Sequence, residues 1–245
     1  MRVALLQIRL DAKSRARNIQ AIIAGIGSAA QAEVAPDLII LPGACDTGGT
    51  AASKKHSNAC LDCVRETIAG QAREWGVFIA AGLHRHIGKD RFSGVILFDP
   101  DGDVIAEDPA TGTEAGKQLE TWHCPVGRLG VAEPSALASE SRRVDSTQDG
   151  ALYAVPLATV AGSEQMHKAG VDPRALCEET AGRNGAYWAV VLAGNGDDAV
   201  QKTGGLMGSY VCDPTGNLLA HADTAGEMIV HAEVPLTSGV EDSRE

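Results

Sequence analysis

Apolar residues follow two spacings along this chain. Val3-Ala4-Leu5-Leu6-Gln7-Ile8 is a short, nearly continuous apolar run that reads as a strand. Ile19, Ile22, Ile23 and Ile26 then recur at the three- and four-residue intervals of one helix face. Asp37-Leu38-Ile39-Ile40-Leu41-Pro42 is rich in branched side chains, which fits a strand buried on both faces, and Pro42 stops it. Leu61, Val64, Ile68 and Trp75 mark a second helix ahead of a strand over Val77 to Gly82. A hairpin partner follows, with Val95 to Phe98 and Val104 to Ala106 joined by the turn Asp99-Pro100-Asp101-Gly102.

The second half repeats these landmarks. Pro156 ends the apolar run Ala151 to Val155 and lies 114 residues beyond Pro42. Asp213-Pro214-Thr215-Gly216 lies at the same offset from Asp99-Pro100-Asp101-Gly102, and Gly82 to Gly194 is close to it at 112, so an internal duplication is expected. Each half then supplies strands that need helices on one face and a second apolar surface on the other. Stacking two such layers predicts an α/β fold with the four-layer order of an α-β-β-α sandwich. No Pro/Gly/Ser-rich linker or shift in composition divides the halves, so residues 1–236 are expected to form a single domain, with 237–245 a polar tail.

Composition narrows the function classes. A formal net charge of -11 sets the overall field against phosphate backbones and anionic headgroups, so neither nucleic acid nor a membrane surface is expected as a partner. No apolar run approaches the roughly 20 residues of a spanning helix, and the first ten residues lack a basic-apolar-small signal pattern, so a cytoplasmic location is expected. Six cysteines, at 45, 60, 63, 124, 177 and 212, are too sparse for a disulfide framework and read as reduced thiols.

With Gln7, Asn18, the Asp37 to Pro42 strand and the paired Asp-Pro-x-Gly hairpins, the chain resembles the nitrilase superfamily of carbon–nitrogen hydrolases: amidases, nitrilases and carbamoyl hydrolases. The likeness runs from about Arg2 to Pro235. Its most specific stretch is the carboxyl third, where Arg183-Asn184 precedes Tyr187, Ala193-Gly194-Asn195 follows, and Ser209 leads into Asp213-Pro214-Thr215-Gly216. The resemblance implies the four-layer sandwich already inferred, and pairing through the helical layers into a homodimer or higher homo-oligomer.

It also implies a reaction. A thiolate must attack the poorly electrophilic amide carbon, a carboxylate must take and return protons, and a cation must stabilise the oxyanion. In this family a glutamate, a lysine and a cysteine do so. Here the glutamate position, directly after Leu41-Pro42, is Gly43. The lysine position, shortly after the first hairpin, falls at Ala110, and Lys117 is the only nearby cation. The cysteine position, four residues beyond Gly127-Arg128-Leu129-Gly130, is Pro134. The segment between Pro109 and Gly127 also looks short for the loop that rims the family's pocket. No residue is therefore assigned a catalytic role with assurance.

The reading that follows is a non-catalytic protein that keeps the fold and a pocket near Gly43, Pro134, Leu157 and Asn195, with a small-molecule ligand as its expected partner, or that serves an assembly. The alternative is an amidase or carbamoyl hydrolase with relocated residues, for which Cys45, Lys117 and Glu133 are the candidates. Against it, Cys45 and Asp46 read as the start of an irregular loop and Glu133 as the cap of a short helix. Cys60-Leu61-Asp62-Cys63 lies on the second helix with no further ligand pair at metal spacing, and His84-Arg85-His86 and His123-Cys124 read as solvated loop residues, so neither a metal nor another cofactor is expected. Gly204-Gly205 and Gly194-Asn195-Gly196 lack the lysine and Ser/Thr of a phosphate loop and read as turns.

Overall fold

The computed structural model describes residues 1–48, 58–87, 90–109, 119–132, 134, 137, 150–157, 172–194, 208–224 and 226–236. Through them the chain runs β1 (Arg2–Gln7), α1 (Arg15–Ala30), β2 (Leu38–Ile40), α2 (Asn58–Trp75), β3 (Phe78–Ile87), β4 (Asp90–Phe98) and β5 (Val104–Pro109). It continues as β6 (Thr121–Cys124), β7 (Gly127–Val131), β8 (Leu152–Pro156), α3 (Pro173–Asn184), β9 (Tyr187–Val191), β10 (Tyr210–Cys212), β11 (Leu218–His221) and β12 (Met228–Glu233).

Helical crossovers set the strand polarity. With α1 and α2 between them, β1, β2 and β3 pair in parallel, while β3, β4 and β5 pair antiparallel. The first sheet is ordered β12-β1-β2-β3-β4-β5 and the second β6-β7-β8-β9-β10-β11, again with a parallel central trio. The two orders therefore match strand for strand. Their Asp-Pro-x-Gly turns match bond for bond: Asp99 Oδ1 accepts from Asp101 and Asp103 N–H, and Asp213 Oδ1 accepts from Thr215 and Asn217 N–H.

The α-β-β-α sandwich is present. Alternation along each strand sends one set of side chains between the sheets and the other beneath helices. Val3, Leu5, Leu38, Ile40, Phe78 and Ala80 meet Leu152, Ala154, Ala189 and Val191 in the sheet-to-sheet core. Ala4, Leu6, Ile39, Ile79 and Ala81 pack instead with Ile22, Ile26, Val64 and Ile68 of α1 and α2. Tyr153, Trp188 and Tyr210 form the corresponding layer with Cys177 and Ala181 of α3. Burial on both faces is why the strands read as continuous apolar runs.

Two sequence expectations change. His84-Arg85-His86 belongs to β3, which runs ten residues and pairs to Ile87, rather than to a loop. His123-Cys124 likewise ends β6, in a hairpin with β7. In both places polar residues occupy a strand because cross-strand hydrogen bonding continues beyond the apolar run. No helix among the described residues is long and apolar enough to cross a membrane.

Ile40, fully buried between the sheets, and Ile23, 40% exposed on α1, test this layering. Ile40→Ala should lower the unfolding free energy by about 2–5 kcal/mol and Ile23→Ala by no more than about 0.5 kcal/mol, read from urea titrations. Gly82 tests how closely the layers meet: a Cβ there would press on Gly43 Cα and lie 3.0 Å from Pro156 Cβ and 3.2 Å from Ala44 N. Gly82→Ala should cost about 1–3 kcal/mol in the same titration.

Candidate functional site

Parallel strands present their carboxyl ends along one edge, and in open α/β sheets that edge is where ligands bind. Here the carboxyl ends of β1, β2 and β3 face those of β8 and β9, and the sheets are joined there by main-chain bonds. Gly43 N–H donates to Leu157 O at 2.8 Å, and Gly194 N–H donates to Ile8 O at 2.8 Å. Gln7 adds a side chain to the seam: its Nε2 donates to Thr224 O and Gly226 O, each at 2.6 Å, while its Oε1 accepts from Ser209 N–H and Oγ–H at 2.8 and 3.0 Å.

Beyond Gly43 the chain hooks alongside the middle of β3. Cys45 N–H donates to Gly82 O at 3.0 Å, and Thr47 and Gly48 N–H both donate to Ala44 O. The reversal is made by Ala44 at φ 49, a left-handed conformation that costs a non-glycine residue on the order of 1–2 kcal/mol. Gly48, at φ 70, ends the hook against the backbone of Asp11 and Ala12, where a Cβ would lie 2.8 Å from Ala12 N. Asn18 of α1 ties the two loops, accepting from Asp11 N–H at 2.6 Å and donating to Asp11 O and Asp46 O at 3.1 and 3.5 Å.

The hook carries a buried polar cluster. Asp46, 1% exposed, places Oδ1 3.1 Å from His84 Nδ1 and 3.4 Å from the His84 N–H. Thr47 Oγ1 lies 2.9 Å from the same ring nitrogen. Arg15, at the amino end of α1 where Ser14 supplies the cap, stands behind with Nη2 3.9 Å from Asp46 Oδ2. Arg15 Nη1, Arg15 Nη2 and Asp46 Oδ2 are buried with no hydrogen-bond partner. A buried pair at this distance gains little Coulomb energy against its desolvation cost, so it is weak evidence of a stabilising role.

Among the sequence candidates, Gly43 and Leu157 are brought into direct contact. Pro134 is half-buried and opens a turn, its carbonyl accepting from Leu137 N–H at 3.2 Å. Cys45 is buried in the layer beneath α1 and α2, and burial, reinforced by the Asp46 charge, pushes its thiol well above the ordinary 9.0. Ala110, Lys117, Glu133 and Asn195 lie outside the described residues, as do Gly196 and Gly204-Gly205. Cys63 is exposed on α2, and Cys124 donates to Gly127 O at 2.8 Å with its thiol pushed up by burial. Among the described residues no group of three or more His, Cys, Asp or Glu could hold a metal ion. Sequence reasoning missed the Asp46–His84–Arg15 cluster; the signal was the alternation of β3, which continued past Gly82 puts His84 on the inter-sheet face with Phe78 and Ala80.

Residues 2–121 match the carbon-nitrogen hydrolase family model. No curated protein sequence matches the chain. Among solved structures, an amidase from Nesterenkonia sp. AN1 aligns with a TM-score of 0.75 at 19% identity, over 100% of this chain and 96% of that one. A variant of that amidase in complex with butyramide aligns at 0.73 and 19% identity, over 96% and 91% of the two chains. Another, described as belonging to the nitrilase superfamily, aligns at 0.74 and 19% identity, over 96% and 92%. The family match over residues 2–121 and the paired sheets carry one conclusion: this chain has the nitrilase fold, and that stretch is similar in sequence to the carbon-nitrogen hydrolase family.

Proposed function

We propose that the chain is a non-catalytic protein of the nitrilase fold that binds a small molecule at the carboxyl-end edge, around Gly43, Pro134 and Leu157. The observation that carries this reading is Gly43. The residue leaving β2 has no side chain to move a proton, and its N–H is committed to Leu157 O. The relocated alternative is weakened by Cys45, since a nucleophilic cysteine needs a lowered thiol pKa and an approach path, whereas this thiol is buried and pushed up. The ligand class follows from the neighbour seen with butyramide, a simple aliphatic amide.

Purified protein incubated with butyramide should release no ammonia above the blank, and butyramide should raise the melting temperature saturably, as a ligand of the native state alone does. Ammonia release abolished by changing one edge residue would sink the proposal. Cysteine labelling separates the alternative independently. With iodoacetamide near neutral pH, exposed Cys63 should react at least tenfold faster than Cys45; labelling of Cys45 ahead of all other cysteines would make it the relocated nucleophile.

A further inference from the structure

We propose that His84 is a ligand-contacting residue of this edge, with Asp46 and Thr47 holding its ring so that Nε2 accepts a hydrogen bond from the N–H group of a small primary amide. The inference rests on the binding role proposed above and names the group that does the binding.

The tautomer follows from contact geometry. A carboxylate oxygen 3.1 Å from Nδ1 can face an N–H there but not a lone pair, so Nδ1 carries the proton and Thr47 Oγ1, 2.9 Å away, shares it. The His84 main-chain N–H reaches the same Asp46 oxygen, which fixes the ring's root as well as its edge. Nε2 is left with its lone pair, has no hydrogen-bond partner among the described residues, and sits on a side chain 12% exposed. Strand alternation puts His84 on the face shared by Phe78, Ala80 and Gly82, and Gly82 is the residue against which Gly43 and Pro156 pack. The lone pair therefore belongs to the seam where the two sheets meet.

The rest of the cluster supports a positioning role. The Asp46 carboxylate lies 3.1 Å from His84 Nδ1 but 3.9 Å from Arg15 Nη2, too long for a hydrogen bond, while the Asp46 carbonyl accepts from Arg15 Nε and Asn18 Nδ2, each at 3.5 Å. A carboxylate arranged mainly for stability would be paired more closely; this one is directed at an imidazole. A ring N–H donated to a carboxylate orients the imidazole and leaves the opposite nitrogen as the better acceptor. A primary amide offers the matching N–H donor.

The test is imidazole nitrogen NMR on the full-length, ¹⁵N-labelled chain, with the His84 signals assigned by their absence in His84→Leu and butyramide as the probe. The expected result is a pyrrole-type Nδ1 and a pyridine-type Nε2, with only Nε2 shifting saturably on titration, at the concentrations that raise the melting temperature. Asp46→Asn should weaken butyramide binding at least threefold and shrink that shift. An Nε2–H tautomer overturns the inference. So does butyramide that raises the melting temperature without moving Nε2, in which case the binding role stands and His84 does not serve it. Hydrolysis of the probe would overturn the non-catalytic reading while leaving the Nε2 shift to decide the role of His84. Absence of any butyramide binding removes both.

Discussion

Gln7 is where the two sheets are held to one register at their carboxyl-end edge. It closes β1 with 1% exposure, and its carboxamide spends two donor hydrogens and two acceptor sites on partners more than 200 residues away in sequence. Through Ser209 it fixes the entry to β10, and through Thr224 and Gly226 the turn into β12. Ser209 Oγ also accepts from Leu192 N–H at 3.1 Å, which extends the seam to the end of β9. An apolar residue of similar size would leave those buried main-chain groups unmatched, and each such group costs about 1–3 kcal/mol. Apolar burial elsewhere is non-directional and leaves the relative slide of the sheets loosely fixed; directional bonds at this one edge remove that freedom.

Once the sheets are fixed there, the character of the edge follows. Gly43 and Gly82 let backbone meet backbone, and Pro156 fills the remaining side. Ionisable side chains gather instead at the hook beside β3, where Asp46, Thr47 and His84 meet and Arg15 lies behind the carboxylate. The left-handed Ala44 and the glycine contact of Gly48 are local costs that only the surrounding bonds sustain.

Much of this fold was legible in the sequence because its strands are buried on both faces. Runs such as Asp37 to Pro42 admit few other readings, and the sandwich follows once two such sets need covering. Polar strand segments were not legible. Nothing in His84-Arg85-His86 resembles a strand, because its place in β3 is decided by pairing with Ser93, Phe92 and Arg91, a tertiary fact that local composition does not carry. The site was half legible. Gly43 could be placed by its neighbours in the sequence, since strand and proline fix its position. The Asp46–His84 pair joins residues 38 apart through a loop whose path depends on Ala44 adopting a conformation that its side chain disfavours.

That separation bears on how such an edge can work. Gly82 leaves no volume for a side chain beside Gly43, so a group acting between the sheets must reach in from a flank rather than rise from the floor. A ring satisfies this better than a carboxylate. Imidazole splits its two functions across opposite sides, one nitrogen anchored in the protein and the other presented outward, whereas a carboxylate anchored through one oxygen would bring a full charge into the seam. Asp46 supplies that charge from the buried side, where Arg15 and the His84 N–H–Nδ1 edge face it. If His84 serves the edge as proposed, an acceptor there suits a neutral, hydrogen-bond-donating ligand better than a developing oxyanion, which would need donors at the same place.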